Sequence, residues 1–132
     1  MNGLKELVEA DPDFARLMQE KSTAILDADL LRERGEQDAA MEMYKKAAEL
    51  DFRVYSRLEH EGLRGPALDS LVSCASCWYA GGKLEAARKL ILDALDLCMG
   101  QAEMRDFCLT FLRKIEKRLS YSRGLAQTQE AP

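Results

Sequence analysis

Four cysteines are the residues in this chain best suited to chemistry: Cys74, Cys77, Cys98 and Cys108. Cys74-Ala75-Ser76-Cys77 has the Cys-x-x-Cys spacing that serves thiol exchange or metal ligation, provided a thiolate can form. This pair falls in the middle of an apolar helical pattern, where the helix dipole does little to stabilise a thiolate. Cys98 and Cys108 follow after 20 and 9 intervening residues, spacings that match no compact zinc site. All four cysteines lie in or beside apolar helical stripes, which points to buried free thiols in a reducing compartment. No cofactor or metal is expected. His60 is the single histidine and stands beside Glu61-Gly62, the position of a helix-end residue. No serine or cysteine can be assigned to it by spacing. Glu103, Asp106 and Glu116 read as surface acids, because sequence supplies no carboxylate pair of defined separation. The residues therefore predict a binding protein without catalytic activity. Two alternatives are a helical enzyme domain that binds a metal or cofactor through the cysteines, and a structural subunit of a larger assembly.

The elements that would position these residues are helices. The chain has 132 residues, 47% apolar and 32% charged, an ordinary globular composition of single-domain size. Only three prolines occur, and Asn2 is the sole asparagine. A short helix is expected up to Ala10. Asp11-Pro12 then opens a helix from 12 to about 34, with Asp as cap and Pro at the first helical position. Gly35 ends it. Ala40, Tyr44, Ala47, Phe52, Tyr55 and Leu58 carry a second helix to about residue 60, and a Gly-Pro loop follows at 61–66. Further helices are expected at 66–80, 84–99 and 101–122. The last turns Met104, Phe107, Cys108, Phe111, Ile115 and Leu119 inward. A single domain spanning 1–124 is expected, followed by a flexible polar tail at 125–132.

Charge is unevenly distributed. Residues 1–61 carry nine basic and fifteen acidic side chains, a net of −6; residues 62–100 are neutral, and residues 101–132 carry +2. That distribution argues against nucleic acid as a partner, since phosphate binding needs a dense basic surface. No basic-then-apolar signal segment opens the sequence, and no uncharged apolar run of 18 residues occurs. Neither a membrane partner nor a destination other than the cytoplasm is expected.

Two segments of the chain match each other. Gly35-Glu36-Gln37-Asp38-Ala39-Ala40 leads into one helix and Gly82-Lys83-Leu84-Glu85-Ala86-Ala87 into another, 47 residues later. In that register Ala40 pairs with Ala87, Tyr44 with Ile91 and Ala47 with Ala94. The spacing resembles the second helix of the tetratricopeptide repeat, which runs alanine, aromatic, alanine. Carried back, the resemblance pairs Ala28 and Leu31 with Ala75 and Trp78 in the preceding helices. Where the family has an early large residue stand Ala24 and Leu71, and where it closes on proline stand Phe52 and Met99. The offset also exceeds the family's usual 34 residues. The resemblance implies an all-α, short stack of antiparallel helical hairpins, capped by the C-terminal helix. It also implies an adaptor or scaffold that binds a protein or peptide along the inner helices, 20–34 and 67–80.

Family members that hold a peptide's terminal carboxylate use inner-helix asparagines, and those helices have none here. The inner helices offer Lys21, Asp27, Asp29, Asp69 and Ser73 instead, an acidic surface suited to a basic or apolar segment. Asp27, Asp29 and Asp69 are therefore candidate contact residues. Tyr79 is a candidate anchor, since Trp78 and Tyr79 point about 100° apart and cannot both enter the core. Arg113 and Lys117 belong to a basic strip, Arg113-Lys114-x-x-Lys117-Arg118, that could dock an acidic partner or a second copy in a homo-oligomer.

Overall fold

Asp11 starts the stack as the sequence suggests: its Oδ1 accepts backbone N–H groups of Asp13 and Phe14, each at 3.1 Å. Pro12 follows at the first helical position, where a missing N–H costs nothing. The computed structural model describes residues 3–130, with side chains as far as Gly124. Six helices account for its order: α1 (Gly3–Ala10), α2 (Pro12–Glu33), α3 (Gln37–His60), α4 (Arg64–Ala80), α5 (Leu84–Leu97) and α6 (Ala102–Glu130). Among the described residues there is no strand, and no helix is long and apolar enough to cross a membrane.

Each helix packs mainly on its neighbours in sequence, α2 on α3, α3 on α4, α4 on α5 and α5 on α6. One turn form closes α2, α3 and α4, at Gly35, Gly62 and Gly82, so it is not confined to the 47-residue register. Gly35 and Gly82 both adopt positive φ, 78° and 82°, a conformation that costs glycine little. Around Gly35, the Gly35 N–H bonds the Arg32 carbonyl and the Glu36 N–H bonds the Leu31 carbonyl, both at 3.0 Å. Around Gly82, the corresponding bonds run to Tyr79 at 3.0 Å and Trp78 at 2.8 Å. The packing repeats too. Ala28 and Ala75, Ala40 and Ala87, and Ala47 and Ala94 are all buried, and small side chains at these points let the helices approach closely. The long offset comes from α3, which runs 24 residues against 14 in α5.

The main core joins Leu68, Leu71 and Ala75 of α4 to Ile91 and Ala94 of α5 and Ile115 of α6. A second cluster sets Phe14 against Val54, Leu58 and Ala67, with Leu4, Leu7 and Val8 of α1 closing it. All four cysteines are buried and free.

Three sequence expectations need adjusting. The inward stripe of α3 passes through Asp51 and Val54, whereas Phe52, one position round the helix, is 43% exposed. In α6 the buried position belongs to Cys108, which turns its neighbour Phe107 about 100° away and leaves it half exposed. Gly124 does not end α6. It has no positive φ, and the helix continues through it to Glu130, into the polar tail expected at 125–132. A glycine inside a helix costs only about 1 kcal/mol, too little to stop one by itself. Residues 131 and 132 of that expected tail lie outside the described residues.

Candidate protein-binding groove

α4 packs between α3 and α5 and leaves one side open. On that side Asp69, Val72 and Ser73 meet the start of α6 across a groove of about 750 Å³. Gln101, Glu103, Met104 and Phe107 form the opposite wall. Phe107 is 50% exposed there, an aromatic side chain that the core leaves open to solvent. Its neighbours hold it in place. Phe107 stacks on Phe111 with ring centroids 6.1 Å apart, and Phe111 meets Tyr79 of α4 edge-on at 5.3 Å. Lys114 and Arg118 then cover the Tyr79 ring, 5.4 and 4.7 Å from its centroid. Such cation–π contacts add roughly 0.5–1 kcal/mol each at exposed sites. The groove thus has an apolar wall supported by an aromatic ladder, and two acids, Asp69 and Glu103, on its lips.

The candidate residues from sequence are distributed over several surfaces. Asp69 lines this groove and is exposed. Tyr79 lies beside it but is half-buried beneath α6, so it fastens α4 to α6. Asp29 accepts a hydrogen bond from the Tyr44 hydroxyl of α3 and pairs with Arg32. Arg32 in turn stands over the Tyr44 ring, so Asp29 belongs to a fastening between α2 and α3. That acceptor and the burial of the ring push the Tyr44 phenol up to about 12, burial being the larger cause. Asp27 is about 200° round α2 from Asp29 and lines a separate cleft with Thr23, Met43 and Lys46. The basic strip divides: Lys114 and Arg118 turn onto Tyr79, while Arg113 and Lys117 stay exposed beside them.

Sequence reasoning passed over Asp51. This carboxylate is completely buried, and neither of its oxygens completes a hydrogen bond of ordinary geometry. The Lys21 ammonium stands 3.5 Å from Oδ1, in ion-pair contact but poorly aligned. Burial raises the Asp51 pKa, against the opposing pull of the Ser73 hydroxyl and the Lys21 charge. Ser73 also lines the α4/α6 groove, so one serine separates that groove from the buried charge. The signal was in the period: Tyr44, Ala47, Ala48, Asp51, Val54 and Leu58 recur at three- and four-residue intervals.

Cys74, Cys77 and Cys108 lack the environment that thiolate chemistry needs. Burial first, and the Asp51 charge second, push Cys74 and Cys77 up to about 12. The Cys74 thiol donates to the Ala48 carbonyl at 3.2 Å, a packing role between α3 and α4. Burial likewise pushes Cys108 up to about 11. Among the described residues, no group of three or more His, Cys, Asp or Glu is placed to hold a metal ion.

The fold and groove define a class, an all-α stack of antiparallel helices with an open, acid-lipped groove on its central helix. Comparison with family models, curated proteins and solved structures found no match.

Proposed function

We propose that this chain is a protein-binding helical module whose α4/α6 groove takes up a peptide segment with an apolar anchor and basic flanks. The observation that carries the reading is Phe107. A half-exposed aromatic, held by Phe111 and Tyr79 beside a groove of about 750 Å³, gives an incoming apolar side chain a rigid wall. Rigid aromatics at the centre of a concave patch are where binding energy concentrates. Asp69 and Glu103 on the lips favour cationic flanks and repel acidic ones. The alanine register supports the reading of the two hairpins as tetratricopeptide-like units, with adaptor work as the role. Four buried free thiols suit a reducing, cytoplasmic setting. The raised thiol pKa values weigh against chemistry at the cysteines.

The test is to pan an unbiased displayed-peptide library on the wild-type chain, with counter-selection on Phe107→Asp. Enrichment of peptides carrying an apolar residue flanked by lysine or arginine supports the reading. A selection that returns no such peptides overturns it.

A further inference from the structure

The side of α4 about 180° round from Asp69 is buried through Ala67, Leu71 and Cys74 and forms a floor beneath α3 and α5, with a separate cavity opening at each end. Trp78 lies at one end of this floor and Ala67 at the other, eleven residues or about 16 Å away. At the Trp78 end Phe52, Ala86 and Leu90 line a cavity of about 450 Å³. At the Ala67 end Leu97 and Met99 border one of about 560 Å³. Phe52, Leu97 and Met99 all stand exposed, Met99 at 86%. Apolar side chains therefore project at both ends of the seam between α3 and α5.

Its charges are ordered along the same axis. Arg53 and Lys89 flank the Trp78 end, with Glu49 as the single acid there. Glu59 and Asp96 flank the Ala67 end, with Arg64 as the single base. Asp93 lies between them, near Tyr55. Among the described residues none of Arg53, Lys89 and Asp96 takes part in an ion pair. Lys89 and Asp96 are seven residues apart on α5, and Arg53 and Glu59 six apart on α3. The separations along the helix axes are roughly 10 Å on α5 and roughly 9 Å on α3.

We propose that this face binds a second copy of the chain about a twofold axis near Tyr55 and Asp93. A twofold axis across the groove reverses its direction, so the basic end of each copy meets the acidic end of the other. Arg53 and Lys89 then face Glu59 and Asp96 of the second copy, and Phe52 enters the cavity beside the second copy's Leu97 and Met99. The same patch supplies knob and hole, base and acid, as an isologous contact requires. A foreign helix could meet the apolar requirement, but the opposite charges at the two ends of the same patch are what a second copy satisfies at both ends together. This contact does not depend on the α4/α6 groove, which opens on the opposite side of α4.

The experiment is light scattering on the full chain over a dilution series, with two double variants. Arg53→Glu with Lys89→Glu makes both ends acidic, and Glu59→Lys with Asp96→Lys makes both ends basic. Wild type is expected to be dimeric and to dissociate on dilution. Each variant alone is expected to be monomeric, with circular dichroism confirming its fold. An equimolar mixture of the two variants restores opposite charges at both ends and is expected to form a 1:1 heterodimer. A monomeric wild type overturns the proposal. So do variants that remain dimeric alone, or a mixture that stays monomeric.

Discussion

The Lys21 ammonium stands 3.5 Å from the carboxylate of Asp51, a side chain with no exposed surface, and this pair joins α2 to the inner stripe of α3. In the 47-residue register Lys21 corresponds to Leu68 and Asp51 to Cys98, both buried. The first hairpin thus carries a charge pair where the second has an apolar one. Desolvation of buried ions commonly offsets their attraction. Lys21→Leu combined with Asp51→Cys, which copies the second hairpin, is expected to be neutral or to stabilise by about 1–4 kcal/mol in urea unfolding. Lys21→Ala alone strands the carboxylate and is expected to destabilise by roughly 3 kcal/mol. A destabilised double variant would show the pair to be a net stabiliser.

The same carboxylate sets a pH dependence. Burial raises the folded-state pKa of Asp51 above its ordinary 3.8, so the folded chain holds this proton more tightly than the unfolded one. Its contribution to stability is complete below that value and is lost as pH rises through the folded-state pKa. Asp51→Asn cannot lose a proton. Its stability relative to wild type is therefore expected to improve as pH rises above about 4, read from paired melting curves. Asp11 acts in the opposite direction. The Phe14 N–H, then Arg57, hold its pKa down, so its contribution is present above 3.8 and is lost on acidification. A constant offset between wild type and Asp51→Asn would contradict the assignment to Asp51.

Two glycines separate turn from helix. Gly35 sits at φ 78°, where any other residue is strained, and Gly35→Ala is expected to destabilise by about 1 kcal/mol. Gly124 lies within α6 with open space around its Cβ position, and Gly124→Ala is expected to stabilise by up to about 1 kcal/mol. Thermal unfolding of the two variants should move in opposite directions. A loss at Gly124 would mean that α6 does not run through it.

Thiol reactivity tests the inert reading of the cysteines. With Cys74 and Cys77 near 12 and Cys108 near 11, very little thiolate exists at neutral pH. A disulfide reagent is expected to leave these three unmodified in the native protein and to label them once urea unfolds it. Rapid native labelling at Cys74 or Cys77 would reopen redox chemistry for that pair.

Much of the fold was legible in the sequence because punctuation and period agreed. Asp11-Pro12, Gly35 and Gly82 marked the boundaries, and the alanines at 40, 47, 87 and 94 gave the register of close packing. The groove was less legible for three physical reasons. Asp51 occupies a core position, and composition alone favours solvent for a carboxylate. Phe107 and Cys108 are adjacent, and only the packing of α6 on α4 and α5 decides which of them is buried. Asp27, Asp29 and Asp69 share a sign but no surface, because α2 turns two of them toward different neighbours.

Phe107 gives the most direct test of the central claim. A peptide recovered by panning should be titrated calorimetrically into wild type and into Phe107→Asp, with unchanged melting confirming the variant's fold. The groove reading expects at least about a tenfold loss of affinity, near 1.4 kcal/mol. Equal affinity for both proteins would place binding elsewhere and contradict it.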